Sequence, residues 1–141
     1  SRGATIINDT YNSSPTAMRA ALELLGEFDP PGRRIVICGD MAELGEESGR
    51  LHWRLGRQVV EVGAASLVIA CGQYARFVVG GARAAGMPEV HAIACASRDE
   101  VLPLVGQAIQ PGDVVLVKGS RMMGMERLVE AMYRYPLRRS A

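Results

Sequence analysis

Three short stretches hold the side chains able to do chemistry: Asn8-Asp9-Thr10-Tyr11-Asn12, Asp40-Met41-Ala42-Glu43 and Lys118-Gly119-Ser120-Arg121. Asp9, Asp40 and Glu43 are carboxylates, able to hydrogen-bond a ribose or to orient an amine. Lys118 and Arg121 are cations suited to a carboxylate or a phosphate, and Arg121 can hold either bidentately. Ser120 and the free amides of a following helix add donors. Lys118 is the only lysine, because fifteen of the sixteen basic residues are arginine. A compact ammonium and a planar guanidinium are not interchangeable, so one retained lysine marks its position. His52 is a further candidate, early in a helix. Each has a plainer reading. Asp9 and Asn12 can make Asx turns, Asp40 can satisfy the amides of its own loop, and His52 can be a packed or capping histidine.

Other chemistries are missing. There is no G-x-x-x-x-G-K-[ST], so the chain has no P-loop. No G-x-G-x-x-G follows the first strand, and there is neither a nucleophile elbow nor a His-rich metal site. Cys38, Cys71 and Cys95 lie in or at the end of apolar runs without metal-site spacing, so buried reduced thiols are expected. Net charge is +1 over 141 residues, which leaves no basic field for nucleic acid. No apolar run approaches the roughly 18–20 residues needed to span a bilayer. These features together imply a cytoplasmic protein.

The elements that must position these residues follow from periodicity. Ala4–Ile7, Arg34–Cys38, Ser66–Gly72, Val90–Cys95 and Val114–Val117 read as strands. Between them run helical patterns. Ser14 is an N-cap and Pro15 a first helical residue. Ser48 is placed to cap the second helix and Gly63 to end it. Tyr74–Ala85 forms the third, Ser97 caps the fourth, and Met123–Tyr135 forms the last. Strand and helix thus alternate five times, which predicts an α/β, Rossmann-like three-layer sandwich around a mostly parallel sheet. Right-handed crossovers put all five strand-to-helix loops on one edge, where ligands bind. Residues 1–136 read as one domain and 137–141 as a tail. Ser1-Arg2-Gly3 has neither an initiating Met nor a signal-peptide core, as expected of a piece cut from a longer chain.

The motifs also carry a family resemblance. Asn8-Asp9-Thr10-Tyr11-Asn12-Ser13-Ser14-Pro15 resembles D-D-x-Y-N-A-N-P, with Asn8 and Ser14 as departures. Gly39-Asp40-Met41-Ala42-Glu43-Leu44-Gly45 resembles G-D-M-x-E-L-G. Leu51-His52 with Gly56 matches L-H-x-x-x-G, and Lys118-Gly119-Ser120-Arg121 with Met125-Glu126 matches K-G-S-R-x-x-x-M-E. In this order they resemble the carboxy-terminal domain of the Mur ligases, most of all the type that joins D-alanyl-D-alanine to UDP-N-acetylmuramoyl-tripeptide.

The resemblance implies a three-domain enzyme of peptidoglycan synthesis. Its amino-terminal domain holds the UDP-sugar, and its central domain carries the P-loop and the Mg2+ ligands. The last domain swings on a hinge before Ser1 and closes over the central one. It brings the incoming dipeptide to an acyl phosphate made from ATP. In that frame Asp40, Lys118, Ser120 and Arg121 are expected at the dipeptide, and Asp9, Tyr11 and Asn12 at the nucleotide or the closure contact. Glu43 and His52 are further candidates, and no metal ligand is expected in this chain. The isolated domain is expected to be inactive. The competing readings are an orphan Rossmann-like binding or regulatory module and, more weakly, a folylpolyglutamate synthetase-like ligase, whose first-loop motif is absent.

Overall fold

A computed structural model describes residues 3–9, 14–119 and 124–134. The strands are β1 (Thr5–Asp9), β2 (Arg34–Cys38), β3 (Leu67–Cys71), β4 (Ala92–Cys95) and β5 (Val114–Lys118). The helices are α1 (Pro15–Glu27), α2 (Ser48–Glu61), α3 (Ala75–Ala84), α4 (Val101–Ala108) and α5 (Met125–Arg134). The strands form one sheet in the order β1-β5-β2-β3-β4, with every pairing parallel.

The apolar runs explain the layers. Every residue of β3 and β5 is buried, because side chains on both pleat faces meet helices. Val36, Cys38, Val68, Ala70, Val114 and Leu116 face a core shared with α1, α2 and α3. Ile35, Ile37, Leu67, Ile69, Val115 and Val117 face a second core shared with α4 and α5. At the edge, β1 is less covered, and its Thr5 and Asn8 are exposed.

Local chemistry sets the boundaries. Ser14 accepts a hydrogen bond from the Ala17 N–H at 3.1 Å, and Pro15 opens α1. Ser97 and Glu100 form a reciprocal capping box that leads through one 3-10 turn into α4. Pro103 falls in the first turn of α4, where its missing N–H costs no helical bond.

Some boundaries differ from the sequence reading. Ser48 is the first residue of α2, not its cap; the chain enters through a 3-10 turn, Gly45–Glu47, and the Ser48 hydroxyl donates to Gly45 O at 2.8 Å. Gly63 does end α2, its N–H donating to Gln58 O at 3.0 Å, while the next residue, Ala64, takes a left-handed φ of 51°. A Cβ on Gly63 would press on Leu22 Cδ2 and Val59 O, both at 3.0 Å. The fourth strand begins at Ala92 because Glu89–His91 form a 3-10 turn that leaves Val90 76% exposed. Finally, α2 and α3 cross at glycines. A Cβ on Gly56 would lie 1.9 Å from Val78 O, and one on Gly81 would lie 1.9 Å from Trp53 O.

Candidate functional site at the carboxyl edge of the sheet

The topology gives the site its place. Strand β5 lies between β1 and β2, yet α5 leaves it on the face opposite α1 and α2. Chain direction therefore diverges at the end of β5, which is where open α/β sheets form a ligand crevice. Lys118 is the last residue of that strand. It pairs in register with Asp9 on one side and Cys38 on the other, and the Gly39 N–H donates to Lys118 O at 3.0 Å. The ends of β1, β2 and β5 are thus neighbours.

Lys118 Nζ lies 2.6 Å from Asp9 Oδ2. The lysine side chain is 1% exposed and the aspartate 45%. The ammonium is sunk into the sheet end while its carboxylate partner reaches water. Sequence reading sent these two residues to different ligands; the fold joins them.

Asp40 satisfies loop amides, those of the neighbouring loop. Its carboxylate accepts the Gln73 N–H at 2.8 Å and the Tyr74 N–H at 3.0 Å, tying the loop after β2 to the turn before α3. Gly72 makes room: its φ is +117°, and a Cβ there would fall 2.5 Å from Asp40 Oδ2. Glu43, three residues on, is exposed, with φ 61°. That backbone is uncommon for a residue with a side chain.

His52 is fully buried. Its Nε2 accepts the Met41 N–H at 2.9 Å, and its Nδ1 lies 2.6 Å from Ser48 O. Both ring nitrogens are engaged inside the protein, and the ring stacks on Tyr74 with centroids 4.7 Å apart. Tyr74 escaped sequence reading because its loop is otherwise plain. Arg98 escaped it too; its guanidinium donates to Gly124 O at 3.1 Å, linking the loop after β4 to the start of α5. Tyr11, Asn12, Ser120 and Arg121 lie outside the described residues.

The cysteines are free and buried. Burial, then Cys71 and Asp40, push the Cys38 thiol up. Burial, then Cys95, Asp40 and Glu100 against a lowering influence from Arg98, push Cys71 up to about 12. Burial and then Glu100 raise Cys95. All three are protonated at neutral pH, which removes a thiolate nucleophile. Among the described residues no group of three or more His, Cys, Asp or Glu could hold a metal ion. No helix among them is long and apolar enough to cross a membrane.

These features define a doubly wound α/β domain with a buried lysine and its aspartate partner at its strand ends. The comparisons with known proteins agree. A family model described as "Mur ligase, glutamate ligase domain" matches residues 1–121, and the chain belongs to the Mur ligase family. It is 34% identical, over 92% of its length, to UDP-N-acetylmuramoyl-tripeptide--D-alanyl-D-alanine ligase of Mycobacterium leprae, of which it covers 28%. Among solved structures it resembles MurF from Acinetobacter baumannii (TM-score 0.82, 32% identity, 96% of this chain and 29% of that one). It also resembles MurF ligase from Thermotoga maritima in complex with ADP (TM-score 0.73, 28% identity, 94% of this chain and 28% of that one). The chain therefore spans less than a third of the length of these relatives.

Proposed function

We propose that this chain is the closing domain of a cytoplasmic ATP-dependent ligase that joins D-alanyl-D-alanine to UDP-N-acetylmuramoyl-tripeptide. The observation that carries the reading is the Lys118–Asp9 pair. A buried cation and a half-exposed carboxylate meet at the crevice, in a chain whose relatives across nearly its whole length are named for that reaction. That extent of identity favours a ligase over an orphan binding module.

The reaction forms a C–N bond between the dipeptide amine and a carboxylate activated by ATP; the acyl C–O bond to phosphate breaks, and the amine loses a proton. ATP supplies the activation. With no P-loop in the sequence, the triphosphate and its Mg2+ are assigned to the central domain of the longer protein. The amino-terminal and central domains are its partners. The work left to this chain is to bind, orient and exclude water.

Lys118 supplies positive charge for the dipeptide carboxylate, together with Arg121, and Ser120 adds a donor. Asp9, Tyr11 and Asn12 serve the nucleotide and closure contacts. Asp40 has its carboxylate on two backbone amides, so it shapes the loop, and Glu43 is the carboxylate left exposed to meet the incoming ammonium.

The test is ADP release by the longer protein in the presence of ATP and UDP-N-acetylmuramoyl-tripeptide, with D-alanyl-D-alanine compared against L-alanyl-L-alanine. Release that depends on the D-dipeptide is expected. Release indifferent to the dipeptide, or none at all, would sink the proposal. Titrating this chain with the same dipeptides, followed by amide NMR shifts near Asp40 and Lys118, then separates a site formed by this domain from one completed on closure.

A further inference from the structure

Resting on the reading of the carboxyl edge as a ligand site, we propose that His52 is a positioning residue for it. Held neutral with its proton on Nδ1, it fastens the backbone of the loop after β2 and so fixes where Glu43 stands.

The tautomer follows from the partners. Nε2 lies 2.9 Å from Met41 N. A backbone N–H only donates, so Nε2 accepts and carries no proton. Nδ1 lies 2.6 Å from Ser48 O. A carbonyl only accepts, so Nδ1 carries the proton. One neutral form satisfies both contacts, and the ring is 0% exposed, so water has no access to offer an alternative.

The loop is therefore pinned at two consecutive residues by two different elements. Met41 is tied through its N–H to α2. Asp40 is tied through its carboxylate to the Gln73 and Tyr74 amides. The His52 ring stacks on Tyr74 at an interplanar angle of 22° and joins the two anchors. The Met41 side chain is itself buried, 2% exposed. Two residues beyond it Glu43 holds φ 61° while exposed. A strained backbone persists only where its surroundings over-determine it, and the double anchor supplies that constraint. His52 thus acts on the site through the backbone, without touching a ligand.

The test uses the isotope-labelled chain. A long-range proton–nitrogen correlation spectrum of the two histidine rings reads the tautomer, and amide exchange reads the latch. His52 is expected as the Nδ1–H form, with a protected Met41 amide. His52→Phe keeps a ring beside Tyr74 but offers no acceptor, so Met41 should exchange at least about ten-fold faster while β5 amides keep their protection. His52→Gln returns an oxygen near the lost Nε2 and should restore part of it. The Nε2–H form in the parent chain, or a Met41 amide still protected in His52→Phe, would overturn the proposal. If the Phe variant fails to fold, the parent tautomer and the Gln variant decide. The dipeptide titration stays separate. Absent shifts alongside the expected tautomer leave the latch standing, and ADP release by the longer protein then decides the dipeptide reading. Shifts lost in Phe and regained in Gln mark positioning.

Discussion

Strand β5 has a buried charge at each end, and the two ends hold it with different partners. Asp113, just before the strand, is 3% exposed. Its Oδ1 accepts the Arg33 N–H at 2.8 Å, and its Oδ2 accepts the Gln110 N–H at 2.9 Å and faces the Arg33 guanidinium at 3.3 Å. Even the space beside it is spent, since a Cβ on Gly32 would lie 2.4 Å from Oδ1. Lys118, at the other end, is buried as deeply, and its carboxylate partner is 45% exposed. One charge closes a knot between two segments of chain, held by two backbone amides as well as by a cation. The other meets a side-chain carboxylate at the edge where ligands bind. Burial of a charge therefore does not tell structure from function, and neither does its partner's exposure, 39% at Arg33 and 45% at Asp9. What differs is whether backbone amides lock the charge in place.

The largest effect should come from Asp113→Ala. It leaves two backbone donors without their acceptor and removes the Arg33 ion pair, and should cost about 3 kcal/mol in urea unfolding, with ligand response at the far edge unchanged. A loss under about 1 kcal/mol would dissolve the contrast. Lys118→Met should cost about 1 kcal/mol or less, because the stem's packing survives and Asp9 can hydrate once freed. On the proposed function, the same change in the full-length ligase should lower kcat/KM for the dipeptide by roughly 100-fold, as expected when a charge meeting a substrate charge is lost. If it melts the chain as Asp113→Ala does, Lys118 belongs to the scaffold. Exposed pairs supply the baseline: Glu23→Ala breaks the Arg19–Glu23 bridge and should move stability by no more than about 0.5 kcal/mol.

At neutral pH the thiols contribute nothing to this series, and they enter only in alkali. Cys71 is raised from 9.0 to about 12 in the fold. An unfolded chain therefore releases its proton first, and stability falls as pH rises through that window. Thermal melts from pH 8 to 11 check the slope, and a disulfide exchange reagent at pH 8 should find no reactive thiol in the native chain. Prompt reaction of all three would contradict the burial.

Much of the fold was legible because it is written locally. Runs such as Val114–Val117 announce strands buried on both faces, and Ser14-Pro15 marks a helix start within two residues. Strand order was not legible, since no periodicity says that α4 must carry the chain back across the sheet to insert β5 beside β1. The site was half legible. Residue types placed Asp9, Asp40, Glu43 and Lys118 on one edge, where the fold puts them. Their partners were hidden, because Asp9 meets Lys118 across 109 residues and His52 meets Met41 only once the intervening loop closes. Val90 misled through its apolar side chain, which the 3-10 turn leaves in water.

The glycine contacts between α2 and α3 have a mechanical consequence. At Gly56 and Gly81 the two helices meet backbone to backbone, with no side chains between them to hop rotamers and absorb displacement. They form one stiff plate, and the loops at their leading ends, with Asp40 and Tyr74, ride on it together. The edge strand β1 is joined to the sheet on one side only. Displacement at this edge should therefore be taken up at β1 and not within the plate, and the Lys118–Asp9 bond, which ties β1 to β5, is its gauge.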